Sequence, residues 1–250
     1  MNVKFRMPKF GQAQGGKSML RELLMTTLGT TISIVLTFGT AAWMDQRQKE
    51  KNRRLTAMMV LSNIEDFARN MRYVDSTLVK HDSTLRRIAA LPRDSVLRLN
   101  EDETQAFFAA VFTNVLLKRD KTAENIFTND ISTWRDVGNR KFIRYVGECY
   151  SAINNLEKNY QVQLDRKMEL SQRFIEEHDY EKMTDGECVA AILDMKGTKS
   201  FIDDFTNGFV PYFEQSIDDL LKYNSINMAV IGVTREELME FIRAEEETTE

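Results

Sequence analysis

Residues that could do chemistry are few in this 250-residue chain, and their spacing argues against most of the chemistry they suggest. Gly11-Gln-Ala-Gln-Gly-Gly16-Lys17-Ser18 satisfies G-x-x-x-x-G-K-S, in which backbone amides cradle phosphates and lysine reaches the β- and γ-phosphates. That loop needs a strand before it, a soluble helix after it and a later apolar strand ending in aspartate for magnesium. Val3 to Phe10 can imitate the strand, but no such later strand offers itself. Nor does the chain alternate strands with helices as a nucleotide-binding α/β fold does. The stretch reads as a Gly/Gln linker, and no nucleotide is expected.

The other reactive types fare no better. Neither His81 nor His178 has a glutamate three residues before it, so the Glu-x-x-His pairs of di-iron bundles are missing. Cys149 and Cys188 stand 39 apart, each without the second member of a Cys-x-x-Cys, which argues against zinc and leaves a bridge between them open. No serine sits in a Gly-x-Ser-x-Gly elbow. Asp203-Asp204 and Asp218-Asp219 read as solvated helix faces, and the aromatics between Glu101 and Lys118 as core at helical spacing. The expectation is no catalytic residue, no cofactor and no metal, hence not an enzyme.

The elements around these residues are better marked. Leu23 to Met44 is a run of 22 residues without a charge. At about 1.5 Å per residue a helix of that length covers roughly 33 Å, enough for a hydrocarbon core of about 30 Å. It reads as the single membrane span. The run is longer than the apolar region of a cleaved signal peptide, the rival reading. Within it Gly29, Ser33, Thr37 and Ala41 recur every four residues, a small-residue stripe along which two spans could pack.

Charge divides the chain in the same way. Residues 1–22 carry +4, residues 45–54 carry +3 and residues 55–250 carry −11. Positive charge beside the span suits a lipid bilayer, and the acidic remainder argues against nucleic acid. Lysine plus arginine count five on each side of the span, so the positive-inside rule is tied. Long domains cross membranes largely regardless of charge, whereas a free tail with five positive charges does not. The large C-terminal part is therefore expected outside the cytoplasmic membrane.

After the span the helix is expected to continue to about residue 91, where Pro92 ends it. Ala57, Val60, Ile64, Phe67, Met71, Val74, Leu78, His81, Leu85 and Ile88 alternate steps of three and four, a heptad seam. Leu61, Ala68 and Ala89 widen it without flanking charge pairs, which fits a multi-helix bundle. A helix follows over Glu101 to Lys118, then a loop over 119–131 and a helical turn over Ser132 to Val137. The second long helix, 139–178, places Phe142, Val146, Cys149, Ile153, Leu156 and Tyr160 at three-four spacing. After a stutter of one extra step it continues through Leu164, Met168, Ser171 and Ile175. Two long helices of similar length predict an antiparallel spine. Shorter helices are expected from Thr184 or Asp185 to Lys196, from Ser200 to Gly208 and from Val210 to Tyr223. Asn227 to Val233 has strand-like character. Thr234-Arg-Glu-Glu237 is a capping box opening a last helix to about Ala244, and residues 245–250 read as a disordered acidic tail.

Two of these pieces, Met44-Asp-Gln-Arg-Gln-Lys-Glu-Lys51 and Ile131-Ser-Thr-Trp-Arg-Asp-Val-Gly-Asn139, carry a resemblance. Over residues 20–165 the chain resembles a Bacteroidota family of single-pass membrane proteins with a basic N-tail, one span and a long helix after it. The threonine-rich span departs from that pattern, where isoleucine, valine and leucine would be expected. The family has no assigned activity, so the resemblance implies architecture and a bacterial origin, with no site residue.

The fold class expected is all-α. A basic tail (1–22) leads to a transmembrane helix (23–44), a helical-bundle domain (45–244) with long helices over 45–91 and 139–178, and an acidic tail (245–250). The function expected is a membrane-anchored module that binds a protein partner or assembles with itself. The alternatives are an extracytoplasmic ligand-sensing bundle and an enzyme whose site is scattered.

Overall fold

The computed structural model describes residues 16–129 and 139–249. The side chains of 16–26, 29, 32–39, 41–42, 245–246 and 248–249 fall outside that description. So do residues 11–15 of the G-x-x-x-x-G-K-S stretch and the expected turn over Ser132 to Val137. The described residues form helices and irregular segments without a strand. They divide into a unit of residues 1–53 and a unit of residues 54–250.

Helix α1 has unbroken helical backbone over Gly16–Ala89. In its first part the hydroxyls of Thr30 and Thr31 donate to the carbonyl of Thr27 at 3.0 and 2.7 Å, the back-bonding by which threonine satisfies itself on a helix. Further on, the Arg47 guanidinium lies 3.8 Å from the ring centroid of Trp43, and Lys49 pairs with Asp45 at 2.9 Å. Among the described residues no helix is long and apolar enough to cross a membrane. The expected span lies mostly outside the described side chains, and the stripe Gly29, Ser33, Thr37, Ala41 lies wholly outside them.

In the unit of residues 54–250, all ten seam residues from Ala57 to Ile88 are buried, with Leu61 and Ala68 beside them, while Ala89 is exposed. Asn100 and Glu103 form a capping box that opens α3 (Glu101–Phe112), after a short α2 (Arg93–Val96). This helix stops six residues earlier than its expected end at Lys118, with Thr113 already extended. The chain then runs extended past α5 (Arg140–Glu177), where Lys167 donates to the carbonyl of Thr113 and Tyr160 to that of Val115. By Asp120, whose carbonyl accepts from Asn63, it is back at an early level of the α1 seam. Extended chain covers about 3.3 Å per residue against about 1.5 Å in a helix, so only an extended segment makes that return in so few residues. The segment expected as a loop over 119–131 contains α4 (Thr122–Asn129).

That return fixes the direction of α5. Asn63 meets Tyr150, and His81 feels the charge of Lys167, so α1 and α5 run parallel rather than as the expected antiparallel pair. The antiparallel partner of both is α8 (Val210–Ile231). Tyr160 packs on Phe213 and Cys149 meets Asn227, while Asn224 reaches Leu61 and Arg72 pairs with Asp218. Similar length and amphipathicity could not reveal this, because direction is set by the crossover between the helices.

The remaining helices close the bundle. Thr184 caps α6 (Asp185–Asp194) in a capping box with Glu187. At Gly186 an added Cβ would stand 2.7 Å from the carbonyl oxygen of Leu97, so glycine lets α6 approach α2. The helices expected over 200–208 and 210–223 are not separate. Helix α7 (Thr198–Asp203) passes through a π-helical turn, Asp204–Phe209, directly into α8, with Pro211 in its first turn. The stretch with strand character, Asn227 to Val233, is helical through Ile231, with Asn227 and Met228 buried. It ends on the left-handed Gly232. Thr234 and Glu237 exchange the expected capping bonds before α9 (Arg235–Thr249), whose backbone is helical to Thr249 through most of the stretch expected as a disordered tail.

Candidate functional site

The core seam of α5 does not stutter. After Tyr160 the buried positions are Gln163, Lys167, Leu170 and Phe174, in unbroken steps of three and four. The apolar residues expected to continue it lie one position further round the helix. Met168 is 59% exposed, Ile175 56% exposed, and Leu164 and Ser171 half-buried. In its second half α5 thus turns a glutamine and a lysine inward and a row of apolar side chains outward. The expectation failed because it followed apolar residues; Gln163 and Lys167 carry the signal only in their position, three and seven residues after Tyr160.

The inward side is a polar pocket of the core. Lys167 is 3% exposed, and its Nζ lies 3.4 Å from the Thr113 carbonyl oxygen and 5.3 Å from the Phe205 ring centroid. Among the described residues no carboxylate pairs with it, and burial pushes its ammonium down to about 8. Thr113 is the C-cap of α3, where unpaired carbonyls favour a cation. His81 faces the same region. Burial first and the Lys167 charge second push it down to about 4, and its Nδ1 has no hydrogen-bond partner among the described residues. Gln163 Oε1 is likewise buried without one. A second polar layer is better satisfied: buried Glu65 accepts from Asn224 at 3.1 Å and from Arg235 at 3.0 Å.

The outward row continues a ridge that is covered over its first half. Tyr150 packs against Phe127 of α4 with ring centroids 5.5 Å apart, and Asn154 donates to Glu124 at 2.9 Å. Arg119, buried with its guanidinium between Glu124 and Glu157, closes that half. From Gln161 onward no described helix covers the ridge. At the junction lies a groove of about 440 Å³ lined by Leu116, Leu117, Tyr160 and Leu164, and Leu116 is 82% exposed.

A second groove of about 470 Å³ lies between Ala89, Arg93, Ala190, Asp194, Lys199 and Thr206. The interior between α3 and α8 is filled instead, with Phe107, Val111, Phe213 and Ile217 wholly buried. Cys149 and Cys188 are both free and buried, so the bridge left open above is not formed. Burial pushes the Cys149 thiol up to about 12, leaving it inert at neutral pH. No group of three or more metal-ligating side chains occurs among the described residues.

No protein-family model, curated protein or solved structure matches this chain.

Proposed function

We propose that this chain is a bacterial, membrane-anchored helical protein that acts by docking another protein, or a copy of itself, on its folded domain. The observation that carries the reading is the inverted second half of α5. Burying Lys167 and Gln163 while exposing Met168 and Ile175 is unfavourable for an isolated domain, and an outward apolar row on a helix is what a docking face presents. The anchor rests on the uncharged run 23–44 and its basic flanks, in line with the single-pass family the sequence resembles. The stripe Gly29, Ser33, Thr37, Ala41 would let two such spans pack. The folded domain is placed outside the cytoplasmic membrane, with residues 1–22 inside. Neither nucleotide nor nucleic acid has a role in this reading. For a ligand-sensing bundle the space between α3 and α8 is closed, and surface grooves such as the one beside Arg93 would have to serve.

Alkaline carbonate washing of native membranes, followed by crosslinking and mass spectrometry of what remains, tests both parts. The protein should stay in the pellet and yield crosslinks through residues of α5. Release into the wash would remove the anchor, and crosslinks confined to other faces would remove the docking site.

A further inference from the structure

We propose that the occupant of the bare ridge is a second copy of this chain, docked antiparallel through α5 about a two-fold axis. The inference rests on the reading of the ridge as a docking face and names its partner. The row Leu164, Met168, Ser171, Ile175 has steps of four, three and four, so it packs on itself when reversed. Leu164 then faces Ile175 of the second copy, and Met168 faces Ser171 of the second copy.

The polar residues along the row favour this alignment. Asp165 comes opposite Gln172 of the second copy. Lys158, which has no acidic partner among the described residues of its own chain, comes opposite the turn of the second copy that holds Glu181 beside the Asp179–Lys182 pair. No like charges oppose each other. A parallel pairing would instead set Ser171 on Ser171 and Gln161 on Gln161, and would give Lys158 no carboxylate. The first half of the same ridge already accepts a helix, α4, through Tyr150 and Asn154. The second half is offered the α5 of another copy, with exposed Leu116 widening the face at one end. The row is only about 16 Å long, which places the contact among small, dissociable interfaces.

The test uses full-length protein in the membranes of expressing cells. Leu164→Cys is placed on one tagged copy and Ile175→Cys on a differently tagged copy, followed by mild oxidation. The pair should give a disulfide-linked dimer, and neither variant alone should, because like positions lie about 16 Å apart along the axis. The buried Cys149 and Cys188 leave the unsubstituted protein as a blank. Adding Met168→Glu to the first copy should cut the dimer at least tenfold without changing helical content, and Ser171→Lys on the second copy should restore it. Dimers from Leu164→Cys alone would overturn the antiparallel pairing. Disulfide or photo-crosslinked adducts only with a different protein would overturn the second copy but leave the docking face standing. No adduct of any kind from positions 164, 168 and 175 would remove both.

Discussion

The guanidinium of Arg86 supplies the hydrogen bond that Pro211 cannot. In the five-residue register of the π-turn, Val210 N–H bonds to the carbonyl of Phe205, and the next carbonyl, that of Thr206, would pair with residue 211. Proline has no N–H, and Arg86 Nη2 reaches across from α1 to donate to that buried carbonyl, while Nη1 donates to Asn207 at 2.9 Å. Asp82 holds the guanidinium through Nε at 2.9 and 3.1 Å.

Arg86→Ala should therefore destabilise the folded domain by about 1–3 kcal/mol, the cost of leaving a buried acceptor unsatisfied. In a Pro211→Ala background, where a backbone donor is restored, the same substitution should cost less. Urea unfolding of the four proteins of this cycle, followed by circular dichroism in detergent, reads the coupling directly. Equal costs in both backgrounds would separate Arg86 from the proline.

Lys167 should make stability rise with alkaline pH. Its folded value of about 8 lies below the ordinary 10.5, so between those values the unfolded chain binds more protons and folding gains as pH increases. The gain across the window is about 3 kcal/mol at most. Lys167→Met should be more stable than the parent at pH 7 and flat over pH 8–10, as unfolding midpoints across that range would show.

His81 gives the acid counterpart. A folded value of about 4 against 6.5 means stability is full above pH 6.5 and falls as the pH drops toward 4, by about 3 kcal/mol at most. His81→Leu should flatten that limb. Lys167→Met should also ease it, because the lysine charge contributes to the depression.

Phe67 lies in the seam, buried and under the Arg119 guanidinium at 5.8 Å from the ring centroid. Phe67→Ala should cost about 3–5 kcal/mol, whereas Tyr73→Ala, at an exposed position on the same helix, should stay within about 0.5 kcal/mol. Thermal melts of both variants check the contrast.

How far the sequence reveals this molecule depends on which signal is followed. The α1 seam from Ala57 to Ile88, a helix start at Thr184 or Asp185 and the box at Thr234 are legible because apolar periodicity and capping chemistry are local. The π-turn is not, since Pro211 reads equally well as the start of a new helix. The parallel run of α1 and α5 depends on an extended return over residues 113–120, whose Val115, Leu116 and Leu117 look like more helix. In the second half of α5, hydropathy points to the right residues and the wrong side: Leu164, Met168 and Ile175 form one row, but the core takes Gln163 and Lys167 instead.

Photo-crosslinking in native membranes reads directly whether the outward row of α5 docks a partner. A photoreactive amino acid is placed at Met168 and, in a separate protein, at the more exposed Tyr73 on α1. A discrete higher-mass adduct containing this chain is expected from position 168, and none from position 73. Equal labelling from both positions, or none from 168, would contradict it.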